Sequence, residues 1–214
     1  MEKKIQILSI YIFLLTVFTV ILSYIFSLRL NLVPSCIPFV DGCTSISRSG
    51  RNFPVNIFFK SFLFLSGILI LFYWYYNYIF FKKKNKLIKF NFIFGILSIF
   101  FLFLYLLFLG DNSYYYKFFR KIGIFIYLLF SVISGLILSI IYYKQKKIFN
   151  SKLVNIKLYL NCLITSCGII LFPFMIAKIE NVSEIRNIIS WNYFFLIQIN
   201  FLLSYFIWKN YFKS

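Results

Sequence analysis

Apolar residues fill six long stretches of the chain, and polar residues collect between them. The stretches are Ile5 to Leu28, Asn56 to Phe81, Phe90 to Leu109, Ile122 to Tyr143, Ile156 to Ala177 and Ile188 to Trp208. A bilayer core needs about 20 apolar residues in helical form to span its thickness of about 30 Å. Each stretch supplies them, interrupted by Lys60 and Lys157 near the starts of the second and fifth. The pattern predicts an all-α fold: one polytopic transmembrane bundle of six helices over residues 1–214. No repeat or soluble domain stands out. Residues 29–55 form the one long connection and are expected on the non-cytoplasmic side. The first stretch reads as a retained helix, because it exceeds the about 7–15 apolar residues of a signal peptide and no small-residue cleavage site follows.

Orientation follows from where Lys and Arg fall. One side would hold Lys3, Lys4, Lys82, Lys83, Lys84, Lys86, Lys89, Lys144, Lys146, Lys147, Lys152, Lys157, Lys209 and Lys213, with Glu2 as its single acid. The other would hold Arg29, Arg48, Arg51, Lys60, Lys117, Arg120, Lys121, Lys178 and Arg186, diluted by Asp41, Asp111, Glu180 and Glu184. Both termini are therefore expected in the cytoplasm. The aromatic groups Tyr73 to Tyr76 with Tyr78, Tyr114 to Tyr116, and Trp208 with Tyr211 are expected as anchors at the headgroup level.

Composition narrows the function. The 214 residues are 62% hydrophobic and 13% charged. Soluble domains run at about 45–50% and about 25%, so a soluble domain is excluded. Disorder is excluded too, since it needs low hydrophobicity. The net charge of +18 does not point to nucleic acid, because its basic residues sit in short clusters between apolar runs. Histidine is absent. Ser-His and Cys-His nucleophile pairs and most zinc hydrolase sites go with it. Five acids leave few candidates for acid/base work. The chain reads as non-catalytic, with no cofactor and no metal site, since four cysteines split between a loop and a helix lack ligand spacing.

The long connection carries the candidate chemistry. Cys36 and Cys43 would form a disulfide in an oxidising compartment and staple the loop. Arg48 and Arg51 follow, and Lys60 lies just inside the membrane. Guanidinium groups bind phosphate bidentately, so these three are the candidate lipid-headgroup contacts. The simpler reading is that they are interface anchors reaching back to headgroups. Asp41 is the nearest acid to Lys60 in sequence. Within the helices, Ser131, Gly135 and Ser139 repeat at four-residue spacing, as do Thr19, Ser23 and Ser27, a pattern of close packing. Asn155, Asn161, Thr165, Gln198 and Asn200 would pair across helices. Cys162 and Cys167 read as buried packing residues. Asn181-Val182-Ser183 is a glycosylation sequon on the expected outer face.

Ile46-Ser47-x-x-Gly50-x-x-x-Pro54-x-x-x-x-Phe59 resembles the motif of the damage-regulated autophagy modulator (DRAM) family, which includes the post-GPI-attachment lipid-remodelling proteins. The motif covers about fifteen residues, and Val55 stands where the family often carries an acid. The resemblance implies a six-helix membrane protein, this motif in its first non-cytoplasmic loop, and a role tied to membrane lipid. Read physically, Gly50 would allow a turn at positive φ. Pro54 would begin a helix, and Ser47 would bond the loop backbone.

The leading expectation is thus an integral, multi-pass, lipid-associated protein whose partners are membrane lipids. It would lie in the plasma or inner membrane of a bacterium, or an endomembrane of a eukaryote. One alternative is enzymatic: Cys36 and Cys43, followed by Thr44-Ser45 and Ser47, resemble the loop of vitamin K epoxide reductase-like thiol oxidoreductases. Those proteins pass electrons through a membrane CxxC, whereas Cys162 and Cys167 are five apart. The other alternative is a small transporter or an accessory subunit of a membrane complex.

Overall fold

The computed structural model describes residues 2–110, 113–176 and 183–211, with the side chains of 170–176 outside the described set. Asp111, Ala177, Lys178, Glu180, Lys213 and the sequon beginning at Asn181 also lie outside it. Most of the described residues are helical, with no strand among them. The helices are α1 (Glu2–Arg29), α2 (Ile46–Ser49), α3 (Val55–Phe81), α4 (Ile88–Leu107), α5 (Tyr114–Lys144), α6 (Ser151–Ile176) and α7 (Ser183–Tyr211). Five of them, α1, α3, α4, α5 and α7, are long and apolar enough to cross a membrane. The chain is an integral multi-pass membrane protein. Helix is the form such segments must take, because lipid offers no partner to a backbone N–H or C=O.

Each apolar stretch coincides with one long helix, but the ends differ. The clearest case is α5, which begins at Tyr114, ahead of the expected Ile122. Lys117, Arg120 and Lys121 occupy its first turns, where polarity hid the helix from a hydropathy reading. The ends have local causes. Asn31 adopts a left-handed φ of 53° past the end of α1, and the Leu32 amide returns to the Ser27 carbonyl at 2.9 Å. Asn150 caps α6, its Oδ1 accepting from the Lys152 and Leu153 amides at 3.1 and 3.3 Å.

The six long helices close into a ring. α1 packs on α3, α3 on α4, α4 on α5, α5 on α6, α6 on α7, and α7 on α1 again. At one end of the ring, the Tyr211 hydroxyl meets the Glu2 carboxylate at 3.5 Å, and the Lys4 ammonium lies 5.4 Å above the Tyr76 ring. The two termini therefore share one end with the lysine-rich connections.

An aromatic cluster seals that end. Trp208 packs against Phe80 at 4.9 Å and Phe149 at 5.2 Å, and Tyr142 against Phe81 at 5.5 Å. Each such pair contributes about 0.5–1.5 kcal/mol beyond its area. Here the expected anchors are corrected. Trp208, Tyr73 and Trp74 are 0%, 1% and 3% exposed and belong to the core. Tyr114 and Tyr115 are exposed, as an anchor requires. Cys162 is exposed on the outside of α6, so it is no buried packing residue. The stripe Thr19, Ser23 and Ser27 is fully buried, and Gly95 lets α4 approach so closely that a Cβ would come within 2.7 Å of the Trp74 ring.

Candidate functional site

The long loop is fastened to the helices at the end opposite the termini. Cys36 and Cys43 are bonded, with Cα atoms 6.4 Å apart. Asp41 does not reach out to Lys60. Its Oδ2 accepts from the Ile37 amide at 2.7 Å and closes the turn inside the disulfide ring. Helix α7 then reads the loop backbone. Asn187 Nδ2 donates to the Gly42 carbonyl at 2.7 Å, Trp191 Nε1 to the Thr44 carbonyl at 2.9 Å, and Asn192 Nδ2 to the Phe39 carbonyl at 3.1 Å. Phe39 packs edge-on against Trp191 at 5.2 Å and Phe195 at 5.1 Å.

The motif residues then fall into place. Ser45 caps α2, its Oγ accepting from the Arg48 amide at 3.2 Å. Ile46 packs on the main core. Ser47 sits against the Tyr105 hydroxyl on α4, so its partner is a side chain and not the loop backbone. Gly50 has φ −102°, which corrects the expectation of a positive φ. Its reason is space: a Cβ there would overlap the ring of Phe59, which is 1% exposed. Pro54 immediately precedes the first residue of α3.

The arginines converge in part. Arg48 is exposed and Arg51 is half-buried. The Arg51 Nε is enclosed without a protein partner, as is Asn56 Oδ1. The third cation near Arg51 is Arg120 of α5, only 6% exposed, and both charges act on Tyr105. Burial, then the charge of Arg120, pull the Arg51 guanidinium below its ordinary range. No carboxylate among the described residues is within electrostatic reach of Arg51. Lys60 is half-buried on α3 and is not among the charges that act on Arg51. The structure thus brings together two of the three expected headgroup residues and adds Arg120. Its position beyond the apolar stretch placed Arg120 only among the outer-side charges, and the early start of α5 carries it inward. The open Arg51 guanidinium, near the positive charge of Arg120, presents a forked donor suited to an oxyanion.

Comparison of the chain with protein-family models, curated proteins and solved structures finds no match.

A second polar centre lies inside the ring. Lys157 of α6, expected at the membrane entry, is 2% exposed. Its Nζ donates to the Asn200 carbonyl at 2.8 Å, Asn200 Oδ1 at 3.2 Å and Ser204 Oγ at 2.8 Å. Tyr73 of α3 shares a hydrogen bond with Ser204 at 2.9 Å. Asn161 bridges outward, Nδ2 donating to Ser139 Oγ at 2.8 Å, while Asn200 Nδ2 donates to Asn161 Oδ1 at 2.9 Å. Nearby, Trp208 Nε1 donates to the Tyr142 hydroxyl at 2.7 Å, which donates to Asn77 Oδ1 at 3.0 Å. The expected pairing of helix amides is present at Asn161–Asn200 and at Thr16–Gln198, where the hydroxyl donates at 2.7 Å.

Proposed function

We propose that this chain is a six-span, lipid-associated membrane protein with both termini in the cytoplasm. In this reading, Arg48, Arg51 and Arg120 hold an anionic lipid headgroup at the non-cytoplasmic face. One observation carries it: the Arg51 Nε is enclosed with no protein partner, and no acid among the described residues is within electrostatic reach of Arg51. A guanidinium with an open donor beside other positive charge is stabilised by an oxyanion, and at a membrane surface a lipid phosphate supplies one. The six-span topology is supported by the ring, by the shared end of the termini and by the gathering of lysines at that end. The likeness of the Ile46–Phe59 motif to the DRAM and lipid-remodelling family supports the same role. The motif in this chain is the scaffold: Ser47 and Gly50 set α2 and the arginines against Tyr105 and Phe59. The Cys36–Cys43 bond acts as a staple for that scaffold, and no catalytic step is assigned.

The test is native mass spectrometry of the purified protein, with nanodiscs of phosphatidylglycerol against phosphatidylcholine as a second readout. Arg48→Gln with Arg51→Gln should remove co-purified anionic lipid, and Lys60→Gln should leave it in place. Unchanged anionic lipid in the double variant refutes the headgroup site.

A further inference from the structure

The outer seam between α3 and α4 is shut by aromatic contacts at two levels. Near the lysine-rich end, Tyr78 stacks on Phe92 at 4.9 Å. Deeper, Phe64 stacks on Phe103 at 4.4 Å. Between these levels lies a groove of about 280 Å³, walled by Leu71, Phe72 and Tyr75 from α3 and by Phe92 and Ile96 from α4. Phe72, Tyr75 and Ile96 are exposed on the outside of the ring. No wall residue is charged, so the groove suits a hydrocarbon chain.

Charge of one sign stands over this groove. The connection from Lys82 to Lys89 holds five lysines and no acid. Glu2, the described acid at this end, is engaged by the Tyr211 hydroxyl. Lys84 is taken up by the Phe80 ring, 3.9 Å below its ammonium. Lys82 and Lys89 are exposed and in register with the groove. The Lys82 amide bonds to the Tyr78 carbonyl at 2.9 Å, so the register of α3 runs on to it. Seven residues beyond Tyr75, it stands on the same face two turns up. Lys89 precedes Phe92 by three residues and shares its face of α4. By the helical rise, the wall residues lie about 5–16 Å below the two lysines. That is acyl-chain depth in one leaflet of a core about 30 Å thick. Lysines that set orientation alone would need no register with a groove.

We propose that this seam is a selective site for one anionic phospholipid, its phosphate between Lys82 and Lys89 and part of one acyl chain in the groove. The site is at the opposite end of the ring from Arg48, Arg51 and Arg120. It rests on the helices crossing a membrane, and neither on the loop-end site nor on which way the termini face. The groove is open at its side, so its lipid exchanges with the bilayer and is read by titration.

The experiment uses the full chain in nanodiscs of phosphatidylcholine. Phe72→Trp places a reporter in the groove. Tyr11→Trp places one on the exposed side of α1, nine residues from Glu2 as Phe72 is nine from Phe81. Acyl-brominated phosphatidylglycerol or phosphatidylcholine is added at rising mole fraction, and quenching is read as the difference from the native chain. Each lysine near a membrane surface favours an anionic lipid by about fivefold. Phe72→Trp should therefore reach half-quenching at a phosphatidylglycerol fraction about 20-fold below that of phosphatidylcholine. At Tyr11→Trp the Tyr76 ring engages Lys4 and leaves Lys3, so the preference there should be about fivefold. Lys82→Gln with Lys89→Gln should remove the preference at Phe72→Trp, and added salt should weaken it. Ile96→Phe fills the groove and keeps both lysines, and should lower the preference to that of Tyr11→Trp. Arg51→Gln should leave it unchanged. All these positions but Arg51 are exposed, so the fold tolerates the changes. Equal preference at the two reporters overturns the proposal and leaves the groove to bulk lipid. A preference that survives the lysine pair or Ile96→Phe, or that is lost in Arg51→Gln, overturns it as well.

Discussion

Replacing Gly50 by alanine tests why the loop motif has its spacing. At φ −102° alanine meets no backbone strain, so any loss must come from the side chain. The new Cβ would overlap the Phe59 ring, which is almost wholly enclosed and cannot swing aside. Overpacking of this kind costs about 1–3 kcal/mol. Phe59→Ala alone removes a buried ring and costs about 3–5 kcal/mol. The informative variant is the pair. With the ring gone, the methyl at position 50 has room, and the glycine's extra freedom in the unfolded chain is removed, worth about 0.4–1 kcal/mol. The double variant should therefore be no less stable than Phe59→Ala, with a coupling of about 1–3 kcal/mol between the sites. The assay is reversible unfolding in mixed micelles for the four proteins. Additive losses, about 4–8 kcal/mol in the double variant, would refute the steric account.

Trp191→Phe keeps a ring beside Phe39 but leaves the Thr44 carbonyl without its donor, and should cost about 1–3 kcal/mol. Hydrogen exchange over residues 39–45 should quicken in that variant, and unchanged protection would count against loop docking through α7. Membrane-impermeant maleimide on intact cells should label Cys36 and Cys43 only after reductant, while Cys162 should react with a lipid-soluble maleimide alone. Labelling of the loop pair without reductant would show that the bond is open in the cell. Asn161→Leu removes the bridge between Ser139 and Asn200 and strands the Asn200 amide, which should lower stability by about 1–3 kcal/mol in the same micelle assay.

Hydropathy made the six long helices legible, since a bilayer imposes a minimum apolar length whatever the packing. It could not place their ends. Tyr114 to Lys121 are helical because the backbone continues past the apolar zone, where a hydropathy window already reads loop. Nor could it separate belt from core among the aromatics. In a chain 24% aromatic, Tyr73 and Tyr75 look alike in sequence, and only the ring of helices turns the first inward and the second outward. The candidate headgroup residues were legible as far as Arg48 and Arg51 share a loop. Arg120 comes from far along the chain, and Lys60 falls on a different face of α3 from the buried Phe59. Gly50 was legible as a requirement but not as a reason, because its constraint is a ring nine residues away and not its own backbone. In sequence Lys157 looks like an entry charge, since nothing local reveals that Asn200 and Ser204 will close over it.

That closure has a bearing on how the protein is made. Every acceptor that Lys157 uses belongs to α7, a helix synthesised after α6. When α6 first leaves the ribosome, its lysine has none of these partners, at a cost below the about 2.5–3.5 kcal/mol of a helix-centre position because it lies near the start of the helix. The segment is released from that penalty only once Asn200 and Ser204 have been translated. Helices α6 and α7 are thus committed to the membrane as a hairpin, and a chain truncated before residue 200 would leave α6 unsettled.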